Sequence, residues 1–280
     1  MKSPDSSDLA CKGKSPSGRL TVRSDVPFIA CLVLLGGFYV IMILLMILAD
    51  VYYTDASALK ETLGKREIQY SIKLSLISCT ISTLLSLWIS VPIGYLMSRF
   101  QFRCKALVDT VLDIPIVLPP LVVGLSLLIL FNYPPFRWLS PWVVFEIPAV
   151  ILAQFMVACA FAVRTMRVTF DQIPQRYEEV AMTLGCNRSQ AFWKVIFPQS
   201  RRGLLAAGTL AWARSLGEFG PILVFAGSTR MRTEVLPTSV YLEMQSGNLK
   251  GMLSVSIVMI LLSALVLILA RVFGMQRINA

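Results

Sequence analysis

This 280-residue sequence contains no histidine. Histidine-based metal sites and Ser-His or Cys-His nucleophilic relays are therefore excluded. Its six cysteines, at 11, 31, 79, 104, 159 and 186, include no CxxC and no paired spacing. That argues against a disulfide framework and leaves them as small apolar or loop residues. Charge is scarce as well: 15% of residues are Asp, Glu, Lys or Arg, where a soluble domain carries about a quarter. The deficit falls in blocks, beside 56% hydrophobic residues and a mean hydropathy of +0.69, which is the composition of an integral membrane protein. A net charge of +10 raises the question of nucleic acid, but the basic residues flank apolar runs, so no nucleic-acid partner is expected. No metal-ligand cluster or acid–base pair marks an enzyme, and no cofactor is expected. The GKS at 13–15 is not a phosphate loop, because Asp8 stands where its first glycine is needed and no strand precedes it.

What is present is a series of long uncharged runs. Residues 1–26 are rich in Ser, Pro, Lys and Gly without apolar periodicity and read as a flexible tail. Residues 27–49 carry no charge, enough for a bilayer core that takes about 20 helical residues. This run is longer than the apolar region of a cleaved signal peptide and has no small-residue cleavage site. Further runs at 74–98 (helix starting near Ile68), 114–131, 147–163, 203–227 and 252–270 complete six predicted spans. The period-2 alternation of a membrane barrel is absent, so the fold class is all-α integral membrane. With the tail inside, the inner segments hold 17 Lys and Arg and the outer segments eight, which places both termini in the cytoplasm. Between spans three and four, Tyr133, Phe136, Trp138, Trp142 and Phe145 cluster with Pro134, Pro135 and Pro141. Such rings suit the headgroup level as interfacial anchors; contact with substrate is the other reading.

The segment 174–200 is too polar to cross a bilayer and is predicted to be two capped helices on the cytoplasmic side. Tyr177, Val180, Ala181 and Leu184 recur at helical spacing on one face, with Glu178 and Glu179 off that face near the helix start. Gly185 is the predicted stop. Asn187 and Gln190 form a capping box for the second helix, whose apolar face is Ala191, Phe192, Val195 and Ile196. Trp193 and Phe197 widen that surface, and Pro198 is expected to close the element. By composition it is equally an interfacial hairpin lying on lipid or a docking knob for a cytoplasmic protein.

Glu179-Val180-Ala181, Gly185 and Ile196-Phe197-Pro198 resemble the EAA signature of ATP-binding cassette (ABC) importer permeases, with Val180 and Phe197 as mild departures. The segment 113–124, DIPIVLPPLVVG, is similar to a P-x-x-L-P-P-x-V-x-G segment of molybdate and sulfate permeases, and LGEFG at 216–220 with FAG at 225–227 to a second. RTEVLPTSVY at 232–241 is closer to the molybdate/tungstate branch. The resemblance covers about residues 68–272 and leaves the first span and tail outside it. It implies a six-helix type I ABC permease bundle with cytoplasmic coupling helices, in the plasma (inner) membrane of a bacterium or archaeon. It also implies a dimeric cytoplasmic ATPase subunit, a second permease copy, an extracytoplasmic oxyanion-binding protein, and no catalytic site in this chain. The coupling residues it implies are Glu178, Glu179, Ala181, Gly185, Asn187, Phe192, Trp193, Ile196 and Pro198. The cargo is a tetrahedral oxyanion, molybdate or tungstate first and sulfate as the alternative.

Arg214 and Glu218 lie four residues apart in span five and are expected to pair on one helix face. They are either a self-neutralised structural pair or part of an anion route. Gly217, Gly220 and Pro221 interrupt the same span, as Pro115, Pro119, Pro120 and Gly124 interrupt span three. Broken helices at membrane depth are tolerated where they are buried or line a cavity, so these nine residues are the predicted pathway. A different class, a secondary transporter or channel independent of ATP, has only Glu218 as an intramembrane carboxylate, and Glu218 has an arginine beside it.

Overall fold

A computed structural model describes residues 26–275; the tail predicted over 1–26 lies outside the described residues but for its last position. The chain divides into two units, Met1–Ala49 and Asp50–Ala280. The described part of the first unit lies in α1 (Val26–Tyr53), 28 residues with no charge before Asp50. Such a helix is long enough to span a bilayer.

The second unit begins with α2 (Ala56–Gly64), capped by the Asp55 carboxylate accepting from the Ser57 amide at 3.1 Å, and α3 (Arg66–Arg99). α4 (Lys105–Val117), α5 (Pro120–Asn132), a 3₁₀ turn at Phe136–Trp138 and α6 (Ser140–Val143) lead to α7 (Ile147–Asp171). The polar element contains α8 (Arg176–Thr183), α9 (Arg188–Ala191), a π-helical turn at Phe192–Ile196 and α10 (Phe197–Gln199). α11 (Arg201–Leu216), α12 (Gly220–Phe225), α13 (Leu236–Gln245) and α14 (Leu249–Met275) complete an all-α fold with no strand among the described residues.

Four described helices are long and apolar enough to cross a membrane, or five spans if α4 and α5, bent by 112°, count as one. The sequence predicts six spans with the third and fifth interrupted, and both interruptions form. The run predicted at 114–131 is divided at Leu118 and Pro119, and the run at 203–227 is divided between Leu216 and Gly220. Proline causes both new starts. Pro120 opens α5 and Pro221 lies in the first turn of α12, where a missing amide donor costs nothing. Pro115, by contrast, sits inside α4 without ending it.

The centre of the second unit is built on small residues. On α3, Ser71, Ser75, Ser78, Ser82, Ser86 and Ser90 are all buried at spacings of three or four. They form one stripe; α3 packs against α7, which buries Ala149, Ala153, Ala158 and Ala162, and against α11, which buries Ala207, Ala211 and Ser215, with the Ser215 and Ser82 hydroxyls 3.4 Å apart. Among apolar helices in lipid the gain comes from close backbone approach, and small side chains permit it. Gly94 continues this close approach: a Cβ there would lie 2.9 Å from the Met166 Cβ of α7.

The two broken segments lock into each other. A Cβ on Gly124 of α5 would stand 2.7 Å from the Cα of Pro221, and one on Gly220 of α12 would stand 2.9 Å from the Cβ of Pro120. Each glycine thus receives the other segment's proline. The aromatic loop at 133–145 is tied to the same place, since the Phe145 amide donates to the Phe225 carbonyl at 3.3 Å. Tyr133, Trp138 and Trp142 remain exposed there, as interfacial anchors would be.

Gly124→Ala should cost about 1–3 kcal/mol of stability, because the obstructing atoms are backbone and cannot swing aside. Gly64→Ala, with nothing within 4 Å of its Cβ, is the control and should change stability by no more than about 0.5 kcal/mol. Thermal melts of the two variants in one detergent check the pair; equal melting temperatures would refute the interlock.

Candidate functional site

In the polar element the structure separates two carboxylates that their adjacency in sequence grouped together. Glu179 is exposed, whereas Glu178 is buried with Ala181 on the inward face of α8. The Tyr95 hydroxyl donates to the Glu178 carboxylate at 2.7 Å, and the guanidinium groups of Arg99 and Arg188 face it at 3.7 Å each. Arg99 also donates to the Ile173 carbonyl at 2.8 Å. Glu178 is therefore held inside the chain, contrary to its expected place off the packed face. The cause is a donor set at the end of α3, some 80 residues away in sequence. The apolar residues Tyr177, Val180 and Leu184 point outward instead.

Gly185 does stop the helix, with φ +91°. Its amide donates to Met182 and that of Cys186 to Ala181, the paired bonds of a Schellman cap. The Asn187–Gln190 box forms in both directions, at 2.8 and 3.0 Å. Beyond it Ala191 and Ile196 are fully buried, and the Phe192 ring packs on Tyr95 and Phe170. Trp193 remains 59% exposed. Pro198 does not close the element as expected; it lies within α10, and the chain runs on through Ser200 into α11. The π turn just before it explains this: the Phe197 amide reaches back to the Phe192 carbonyl, widening the turn where a proline ring would otherwise crowd the helix.

The second site lies where the broken helices meet. A cavity of about 320 Å³ is lined by Pro119, Pro120, Leu121, Arg214, Gly217, Glu218, Phe219 and Gly220. Six of the nine predicted pathway residues thus border one space; Pro115, Gly124 and Pro221 do not. Arg214 Nη1 stands 2.9 Å from Glu218 Oε2, as predicted for a pair, but α11 ends at Leu216, so Glu218 is on the joint rather than on the helix. The Glu218 side chain is 1% exposed and the Arg214 side chain 31%. Neither Glu218 oxygen makes a hydrogen bond of good geometry, so the two groups meet as charges, not as a fork. The Arg214 guanidinium also lies 5.7 Å from the centre of the Phe161 ring.

An ionic network at the opposite, predicted outer, end was not foreseen. Arg230 bridges Glu67 and Glu243, Arg232 pairs with Glu146, and the Tyr70 hydroxyl donates to the Arg232 carbonyl at 3.1 Å. Glu234 is buried; burial pushes its carboxyl above the ordinary range, and the Ser239 hydroxyl donates to it at 2.8 Å. Most of these partners are 86 to 163 residues apart, so no local spacing signals them. The stripe of serines on α3, by contrast, was there to be read.

Residues 90–277 match the family described as "Binding-protein-dependent transport system inner membrane component". The sulfate transport system permease protein CysW of Synechocystis sp. is 28% identical over 250 residues, 86% of this chain and 91% of the relative. The molybdate/tungstate transport system permease protein WtpB of Pyrococcus furiosus is 34% identical over 195 residues, 69% of this chain and 75% of the relative. A chain in the crystal structure of a bacterial alginate ABC transporter with its periplasmic protein shares the fold, with a TM-score of 0.73 at 14% identity, covering 90% of this chain and 95% of that one. The chain belongs to the inner membrane components of binding-protein-dependent transport systems, the type I ABC importer permeases, near the sulfate permeases.

Proposed function

We propose that this permease carries a tetrahedral oxyanion dianion inward, with molybdate or tungstate as cargo and sulfate as the second reading. The observation that carries it is the convergence of the two motif-bearing breaks on one cavity with a loosely held Arg214–Glu218 pair. The relatives named for sulfate and for molybdate/tungstate support the anion class. The 232–241 segment favours molybdate or tungstate. An extracytoplasmic binding protein delivers and selects the anion, and a separate ATPase subunit hydrolyses ATP, with two permease copies forming the pathway.

The polar element is the coupling surface, and both chain ends lie on its side of the membrane. Tyr177, Val180, Leu184 and Trp193 present an exposed apolar surface with Glu179 beside it, suited to a groove on the ATPase. Glu178, Ala181 and Ile196 act from within, by fixing that surface to the body of the permease. Gly185, Asn187, Phe192 and Pro198 set its shape. ATP-driven approach of two ATPase subunits moves the two elements, and the breaks at 118–119 and 217–219 are where α5 and α12 change orientation.

In the cavity, Arg214 attracts the dianion and Glu218 limits how tightly it is held, which is what a transport route requires. At an effective dielectric near 20, a carboxylate about 10 Å from a dianion opposes it by roughly 3 kcal/mol before screening.

Uptake of labelled molybdate, tungstate and sulfate into proteoliposomes holding permease, ATPase and binding protein tests the assignment. Uptake should need ATP and binding protein together; uptake that persists without ATP would favour a secondary carrier or channel. Calorimetric titration of the binding protein with the three anions should rank molybdate or tungstate above sulfate. Gly185→Pro and Glu179→Lys should each lower ATPase co-purification by about tenfold, equivalent to 1.4 kcal/mol, with membrane insertion intact. Normal co-purification with both variants would remove the docking assignment. Glu218→Gln should raise the affinity of the detergent-solubilised permease for the oxyanion by about tenfold or more and slow turnover. Unchanged affinity and turnover would make the pair purely structural.

A further inference from the structure

No residue of α4 is buried, and α7 is the helix it packs against. Charge ties the two together. Arg164 donates to the Asp113 carboxylate at 2.7 Å, and Arg167 donates to Asp109. Asp109 and Asp113 stand one turn apart on α4, as Arg164 and Arg167 do on α7, and the pairs run in opposite order. They are two rungs of a ladder between antiparallel helices. The other face of α7 carries Val163, Met166 and Phe170, all buried. Asp113 immediately precedes the uncharged run 114–131 and Arg164 immediately follows the run 147–163, so the ladder lies at a water-facing boundary.

The two ends of α4 touch different machinery. Before it, the Phe100 ring meets Tyr95 at 6.3 Å between centres and the Arg188 guanidinium of the polar element at 5.2 Å. After it, Leu118 and Pro119 are extended, and α5 departs at a bend of 112°. Pro119 and Pro120 have no amide to donate back across that joint. Both border the cavity of Arg214 and Glu218.

We infer that α4 is a hinged strap between the coupling surface and the cavity, latched to α7 by the Asp109–Arg167 and Asp113–Arg164 pairs and swinging at Leu118 and Pro119. The inference rests on the coupling and pathway roles proposed above. Three observations make the latch releasable. Release uncovers no core, because α4 buries nothing. The pairs are partly exposed, and ion pairs of that kind are weak. Each arginine also has somewhere to go: Arg167 Nε faces Asp171 of its own helix at 3.9 Å, and the Arg164 side chain is 54% exposed. An unlatched α4 therefore leaves no buried charge alone.

Proteoliposomes holding permease, ATPase and binding protein test it. In Asp109→Asn/Asp113→Asn, ATP hydrolysis without binding protein should rise about fivefold, and uptake of labelled molybdate or sulfate per ATP should fall. Asp113→Arg should act in the same direction, and adding Arg164→Asp to it should restore coupling. The melting temperature of the double Asn variant should equal that of the wild type. A lower melting temperature with wild-type coupling would make the ladder a plain brace and overturn the latch, as would unchanged hydrolysis and uptake. ATPase co-purification should stay at the wild-type level in every variant, which separates failure of the latch from failure of the docking surface. Spin labels at the exposed positions Thr110 and Val168, in a chain with its native cysteines replaced, should report two distances whose balance shifts when ATP is added to the complex. A single distance under all conditions would overturn the swing.

Discussion

The contact on which the arrangement depends is the exchange of prolines between two broken helices. α5 and α12 begin inside the membrane-facing body of the protein, and each begins with a proline seated against the other's glycine. That mutual seat adds to the packing of Leu127 and Phe131 against Ile222 and Phe225 and fixes where the two first turns meet. Because they do stay together, the joint between α11 and α12 is held beside Pro119 and Pro120, and the Arg214–Glu218 pair faces a cavity rather than lipid. Steric fit here fixes the place at which the electrostatics can act.

A second constraint operates at the polar element. The coupling role proposed for it requires an element rigid enough to transmit displacement yet exposed enough to be gripped. The division between Glu178 and Glu179 meets both needs. One carboxylate is sunk among Tyr95, Arg99 and Arg188, and its neighbour stands in solvent beside Tyr177, Val180 and Leu184. Around 100° of helical rotation per residue is enough to send adjacent acidic side chains to opposite duties. The Schellman cap at Gly185 and the box at Asn187 then turn the chain sharply without leaving the second helix free to swivel.

Much of this was legible in the sequence because it rests on local rules. Uncharged runs gave the helices that form, Gly185 and Asn187 gave the caps, and the prolines marked the breaks. Three features were not legible. The inward turn of Glu178 depends on donors from the far end of α3, and the Arg230–Glu67 and Arg232–Glu146 bridges join segments remote in sequence. The third is Pro198, for which the rule that proline ends a helix was outweighed by the π turn at Phe192–Ile196 just before it.

The serine stripe of α3 bears on how such a bundle can change shape. Several of its hydroxyls are spent on their own helix, Ser71 on the Ile68 carbonyl, Ser78 on Ser75 and Ser90 on Leu87. Between α3 and α7 the polar link is a single long contact, Gln154 to the Cys79 sulfur at 3.6 Å. The interface is therefore close-packed but carries almost no directional bonds across it. Two surfaces of that kind shear past one another at low cost while remaining in contact, so α3 and α7 form a bearing rather than a weld.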